Sequence, residues 1–535
     1  MNSFTIQSKF YCTHNSKSNL RKRLISTFII YLTFQLKNIL LLQIKNILQL
    51  KIFYSFRMAM GNNNSSNKGW RLTNPEFHNG RLYNQDYQTI KDDLLQNQVS
   101  NDFFVNGSNN FFNDPWFPPD KYSLSFSGSI DGLNIDLDDV SWVRAKDLYP
   151  NAEFIINGSS KDDVNQGSLG DCWFLSSLAG LAEHKELFNK VVPEGQIMKS
   201  DDYCGIFKFC FWKWGQWVEV VVDDRIPVYQ GNPLFTYSDD YGEVWPMLLE
   251  KAFAKLHGSY FHLVGGFTVA ALECLTGGLS ERFVGNQGPA VSMRGSQNIH
   301  NNLFNKISNI LQNGGIVCTG TLLMDKLSSG IFGGHAYSVT GTYELTSLEE
   351  QHIQLIKIRN PWGNQVEWIG PWSDKSEEMK QVTGHQKKAL KTGTGEFWMN
   401  FQDFLDYFTL VEFTHILTDW TEPTYFTGMW INKNHCDFLL TMFQDEEVFV
   451  SLEQKYSREL RDEHEEVYTS QIGLTIFSLP TGIGFEDTQS SRSSNLDLSN
   501  LEGYLDCQLH FGNNADWKEV TTVTFHDNLK KGMNY

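Results

Sequence analysis

The sequence predicts an α+β protein, on three observations. Apolar residues recur at helical spacing from Trp173 through Phe174, Leu175, Leu178, Ala179 and Leu181 to Ala182, and residues 245–256 read the same way. Runs rich in β-branched residues, at 216–224, 315–319, 335–340 and 354–359, read as strands. The block 416–535 is built of short β-like pieces, at 438–443, 447–452 and 473–477, and reads as an antiparallel β-sandwich.

Composition bounds what such a chain can be. Its 535 residues suffice for roughly three or four domains. An apolar fraction of 41 %, a charged fraction of 20 % and 15 Trp imply large packed cores. The formal net charge of -18, with no basic patch, argues against nucleic acid as a partner and leaves hard-cation binding open. The eight cysteines are scattered and form no CxxC pair, which argues against a disulfide framework or a zinc site and for a reducing, cytoplasmic setting.

Residues 1–60 form a basic, apolar leader. Its first 57 residues carry nine Lys or Arg and no acid, so removing those charges from -18 leaves -27 for the rest. Residues 24–36 fall short of the roughly 20 apolar residues that a membrane helix needs. The leader fits a signal peptide poorly, and a mitochondrial presequence is the weaker reading of its basic character. Met58 and Met60 are alternative starts. From Met60 the order Met60, Gly61, Asn62, Asn63, Asn64, Ser65 matches the N-myristoylation pattern. On this expectation residues 1–59 are not part of the working protein, and an acyl chain on Gly61 gives weak membrane association.

Residues 61–113 are polar and Asn/Gln-rich and read as an arm, with structure expected from about Asp114. Two blocks follow, 114–266 and 267–415, before the β-rich block 416–535. In the first, Cys172 opens the expected helix, with Asp171 as its cap and Gly170 as its turn residue. A helix N-terminus stabilises a thiolate, and the thiolate is the nucleophilic form. Gln166, six residues earlier, offers a side-chain amide which, with the Cys172 N–H, can hold an oxyanion. In the second block His335 opens a strand and suits a general base and acid. Asn360 ends the next strand, 25 residues on; if those strands pair, its carboxamide can orient the imidazole. Each residue alone has an ordinary structural explanation. The order Cys, His, Asn is that of papain-like thiol proteases.

At this point the sequence resembles one family. The segments QGSLGDCWF from Gln166, WPMLLEKAFAKLHGSY from Trp245, GHAYSV from Gly334, IRNPWG from Ile358 and GEFWM from Gly395 are similar to the calpain catalytic core. The resemblance runs from about Asp114 to the end and is most specific over 114–415. It implies a papain-like two-lobed cysteine protease core, with Cys172 on the first lobe and His335 and Asn360 on the second, followed by the β-sandwich. It implies that Trp362 stands between the lobes and shields the site, and that calcium aligns them. The implied first-lobe ligands are the carbonyls of Ile156 and Gly158 and the carboxylates of Asp163 and Glu243. The implied second-lobe ligands are Glu367, Asp374 and Glu396. Thr394 stands where the family has an acidic ligand, Lys161 stands where it has an Arg linking the lobes, and one extra residue lies between Trp362 and Glu367. No EF-hand loop pattern occurs, and the β-rich block reads as shortened.

The expected activity is calcium-dependent limited proteolysis of protein substrates. A thiol acyltransferase such as a transglutaminase would want an acid at Asn360, and a non-catalytic calpain-like scaffold would usually lack one member of the set.

Overall fold

The structure, a computed structural model, describes residues 5–12, 77–78, 81–96, 111–213, 215–284, 297–321, 329–346, 352–363, 368–382, 384–416, 424–429, 446–454 and 522–529. It is a mixed α/β protein. Among the described residues no helix is long and apolar enough to cross a membrane.

Hydrophobic patterning builds the first core. Helix α2 (Cys172–Ala182) is apolar on nearly all sides and is accordingly buried on nearly all sides. It packs with α3 (Trp245–His257), where Phe174 stacks on Phe253 at 4.1 Å between ring centroids. Strands β5 (Ile206–Lys213) and β6 (Gln216–Asp223) pair antiparallel, and Phe207, Phe209 and Phe211 alternate into the same core. Two short strands, β2 (Phe77–His78) and β3 (Arg81–Leu82), extend this sheet in the order β2-β3-β6-β5. A small sheet of β4 (Ser141–Arg144), β7 (Arg225–Tyr229) and β8 (Asn232–Pro233) lies beside it in sequence.

Residues 61–113, expected to be an arm, contain a docked helix. Helix α1 (Tyr87–Leu95) is capped by Asp86, whose Oδ1 accepts from the Thr89 N–H at 2.7 Å. Tyr87, Ile90 and Leu94 form an apolar stripe on an otherwise polar helix and pack with Phe112, Ile206 and Val221.

The second core surrounds a six-stranded antiparallel sheet of order β13-β12-β11-β10-β14-β9. Its strands are β9 (Leu279–Val284), β10 (Ile316–Gly320), β11 (Ala336–Thr346), β12 (His352–Arg359), β13 (Glu396–Asn400) and β14 (Leu410–His415). Helix α5 (Gln297–Gln312) covers one face through Phe304, Ile307 and Ile310. The period of two along β10 splits its side chains between the cores: Ile316 and Cys318 join the first, and Val317 joins the second. Thus α2 lies on the other face of this sheet. Gly180 permits the approach, because a Cβ there would come within 2.6 Å of Ile316 Cγ2.

Polar contacts lock the two cores in register. Ser176 Oγ donates to the Ala336 carbonyl at 3.0 Å, and Ser338 Oγ donates to the Ser176 carbonyl at 2.7 Å. Helix α4 (Thr268–Thr276) begins beyond the expected block boundary at 266/267, yet Ala271, Leu272 and Leu275 lie in the first core. Glu412 of β14 caps α4, accepting from the Thr268 N–H at 2.8 Å and from Arg282 Nε at 2.6 Å.

Of the β-rich block, one sheet is described: β15 (Thr424–Met429), β1 (Thr5–Cys12), β16 (Glu446–Gln454) and β17 (Thr522–Leu529), in that order and antiparallel. Its β16 covers the expected strand at 447–452; those at 438–443 and 473–477 lie outside the described residues. A stretch of the leader, Thr5–Cys12, is the strand between β15 and β16.

Candidate active site

The loop before Cys172 is pinned by backbone bonds. Asn165 and Tyr237 exchange N–H···O bonds at 3.0 Å, the Ser168 N–H donates to Leu234 at 3.0 Å, and the Gly265 N–H donates to Gly170 at 2.9 Å. Gly167 is required there, since any Cβ would overlap the Phe235 carbonyl. The Gln166 N–H reaches the Pro361 carbonyl at 2.9 Å, which ties the loop to the turn that carries Asn360. Gln166 Nε2 donates one proton to the Leu169 carbonyl at 2.7 Å; a primary amide has a second to offer.

Cys172 is the first residue of α2 and is half-buried. The Ala336 N–H, next in sequence after His335, donates to its sulfur. Burial pushes the thiol up to about 11; negative charge on Asp171 would push the same way, and the amides of Ala336, Trp173 and Cys172 pull it down. Asp171 does not cap the helix as expected. It occupies the cap position, but its side chain makes no capping hydrogen bond, because its carboxyl faces Glu250 on α3.

The expected pairing of the His and Asn strands is present: β11 and β12 are antiparallel neighbours, with Ser338 opposite Arg359. His335 Nε2 and Asn360 Oδ1 lie 2.9 Å apart. The same Oδ1 accepts from the Trp362 N–H at 3.1 Å, which fixes the orientation of the carboxamide. Nε2 is therefore the protonated nitrogen, and Nδ1 carries the basic lone pair. The Trp362 ring lies 4.5 Å from the imidazole and Tyr337 lies 4.8 Å from it, measured between centroids, so aromatic surface walls His335 on two sides.

His335 is 7 % exposed. Burial lowers it to about 4, and the Asn360 bond opposes that shift. An unfolded chain, with its histidine at the ordinary 6.5, takes up the proton first. Stability is thus insensitive to this group above about pH 6.5 and falls between about 6.5 and 4, by about 3 kcal/mol in all. We expect urea unfolding of the native chain to show this acid loss and His335→Gln to lack it; equal slopes would contradict the assignment.

Of the carboxylates implied for a first calcium site, Asp163 and Glu243 do converge, and a third, Asp240, joins them. Their oxygens all lie within 4.8 Å of one another. Asp240 escaped the sequence reading, although its position three residues before Glu243 was a signal for it. Glu243 is fully buried and accepts from the Ile156 N–H and from Ser238 Oγ, each at 2.7 Å. Ile156 thus meets the cluster through its amide N–H. Gly158, at φ 92°, turns the loop between Ile156 and Asp163. Burial pushes Glu243 up to about 7, with Asp163 and Asp240 adding to it. Crowded hard oxygens of this kind suit a calcium ion, whose charge would reverse that shift.

Of the second expected set, Glu396 and Asp374 fall among the described residues and Glu367 does not. Glu396 accepts from Thr340 Oγ1 and the Gly393 N–H at 2.7 Å and lies 3.4 Å from Lys357 Nζ, so lysine already balances its charge. Asp374 accepts from Thr392 Oγ1 at 2.9 Å. Lys161 Nζ sits 3.9 Å from both Glu396 and Glu183, a longer contact than a bidentate guanidinium makes.

A family model described as calpain family cysteine protease matches residues 112–415. Calpain-A of Drosophila melanogaster is 34% identical over 461 residues, covering 76% of this chain and 52% of that protein. The calpain-1 catalytic subunit of Mus musculus is 36% identical over 363 residues, covering 65% and 47%. The calpain-2 catalytic subunit of Macaca fascicularis is 33% identical over 460 residues, covering 78% and 62%. The chain spans about half the length of the curated relatives it matches. With a family match over most of the folded core and relatives of this similarity, the chain belongs to the calpain family of cysteine proteases.

Proposed function

We propose that this chain is a calcium-dependent cysteine endopeptidase with a papain-like two-lobed core, performing limited cleavage of protein substrates in the cytoplasm. One observation carries the reading: the Trp362 N–H and His335 Nε2 converge on Asn360 Oδ1, which leaves Nδ1 as the base beside the strand whose Ala336 N–H meets the Cys172 sulfur. The described cysteines are all free thiols, which supports a reducing compartment.

In the reaction, His335 Nδ1 takes the thiol proton and the Cys172 sulfur attacks the peptide carbonyl carbon. The Cys172 N–H and the second Gln166 amide proton serve the oxyanion. The imidazolium gives its proton to the leaving amine as the C–N bond breaks. Water, deprotonated by Nδ1, then attacks the thioester and releases the acid and the thiol. Asn360 holds the imidazole in the required tautomer, and Trp362 keeps water from that bond. Burial holds the resting pair as thiol and imidazole, so charge separation needs help that this arrangement withholds. Asp163, Glu243 and Asp240 would hold calcium, which would supply positive charge to offset their crowding. The family's second site is a poor fit here, because Glu396 is engaged by lysine.

Labelling with an epoxysuccinyl thiol inhibitor tests the proposal. We expect Cys172 to be modified in the presence of calcium and far more slowly without it. Absence of labelling under both conditions would favour a non-catalytic scaffold, and amine incorporation instead of hydrolysis would favour an acyltransferase.

A further inference from the structure

Asp171, immediately before the nucleophile, is fully buried, yet neither oxygen of its carboxyl receives a hydrogen bond from another residue. Its side chain turns away from the amides of α2 and meets the Glu250 carboxyl on α3. Glu250 is 1 % exposed and well served: the Thr236 N–H lies 3.3 and 3.2 Å from its two oxygens, and Thr236 Oγ1 donates at 2.6 Å. The other titratable groups facing the pair are Cys172 and Tyr260, whose buried hydroxyl has no partner. Asp223 faces Tyr260 from β6 and is itself paired with Lys251 at 2.5 Å.

Two buried carboxyls in contact do not both ionise, so the pair holds one proton. The donors from Thr236 stabilise charge on Glu250, whereas Asp171 has only its own amide N–H to draw on. The proton therefore belongs to Asp171. We propose that Asp171 is a positioning residue for Cys172: as a neutral carboxylic acid it donates to Glu250, ties the nucleophile's loop to α3, and keeps the pair's single negative charge off the residue next to the thiol. Burial acts in the same direction, pushing Asp171 well above the carboxylate range. An ionised Asp171 would oppose the Cys172 thiolate and hold the thiol in its unreactive form. This inference rests on the reading of Cys172 as the nucleophile.

The test is the pH dependence of Cys172 alkylation by iodoacetamide in the full chain, followed by peptide mass mapping. Glu250→Gln removes the carboxylate, and with Thr236 donating to its Oε1 the amide turns Nε2 as a donor toward Asp171, so Asp171 ionises. The thiolate inflection moves up, and alkylation below it slows about tenfold, equivalent to one pH unit. Asp171→Asn, neutral and still a donor, keeps the inflection where the native chain has it, and Asp171→Asn/Glu250→Gln restores it. A downward shift in Asp171→Asn shows a charged aspartate in the native chain and overturns the proposal, as does an unmoved inflection in Glu250→Gln. If Glu250→Gln does not fold, the behaviour of Asp171→Asn alone decides. Alkylation reads the thiol whether or not peptides are cleaved, so a native chain that alkylates normally but hydrolyses nothing sinks the protease reading and leaves this one standing.

Discussion

Cys172→Ala is expected to lower peptide hydrolysis by at least about 10⁴-fold, because a nucleophile and its base act as a unit and no part of it works alone. Cys318 and Cys210 are unsuited to take over. Cys318 is fully buried on β10 and pushed up to about 12, and Cys210 on β5 is pushed up to about 11, both chiefly by burial. Neither is placed against His335, whose neighbours are Asn360, Trp362, Tyr337 and Phe332. The substitution removes one half-buried sulfur at a helix start, so the fold should survive it and the melting temperature should stay close to native. The measurement is kcat/KM on a fluorogenic peptide with calcium, beside a thermal melt of the same preparation. Cleavage that persists in a folded Cys172→Ala chain would remove Cys172 from the mechanism.

The parts of this site that the sequence exposed are those set by local pattern. The apolar run after Cys172 has helical spacing, and α2 spans Cys172–Ala182. The 25-residue step from His335 to Asn360 suits two paired strands, and β11 and β12 are antiparallel neighbours. What stayed hidden depends on neighbours distant in sequence. Asp171 carries the signature of a helix cap, but Glu250, on a helix 79 residues away, competes for its side chain and wins. The lysines that flank Glu396, Lys161 and Lys357, likewise come from other elements. The docking of α1 rests on three apolar residues in a polar stretch, too few to outweigh the composition around them. Its partner surface on β5 and β6 is more than a hundred residues further on.

That docking also rests on a charge inside the protein, and Lys255→Met is expected to destabilise the fold by about 3–5 kcal/mol, the usual cost of breaking a buried ion pair from one side. Helix α3 reads as an apolar helix interrupted by Lys251 and Lys255, which at spacing i, i+4 share a face. That face is buried. Lys255 Nζ spends all three protons: on Gln85 Oε1 at 2.5 Å, Asp114 Oδ2 at 2.6 Å and the Val221 carbonyl at 2.6 Å. Gln85 leads into α1, Asp114 begins the folded block foreseen from sequence, and Val221 lies on β6. One ammonium thus fastens three chain segments to α3. Methionine keeps most of the side-chain volume but takes the lysine proton from Asp114 Oδ2, Gln85 Oε1 and the Val221 carbonyl; Asp114 Oδ1 keeps its bonds from Gln85 Nε2 and the Trp116 N–H, yet the buried carboxylate loses its countercharge, which is the costly part. Adding Asp114→Asn removes that charge, so Lys255→Met/Asp114→Asn should recover about half of the loss or more, which a simple packing defect would not allow. Urea unfolding of the three variants measures this. Hydrogen exchange of the amides in 87–95 should rise in Lys255→Met before the rest of the first core opens. A loss below about 1 kcal/mol in Lys255→Met would mean that the ammonium does not hold these segments.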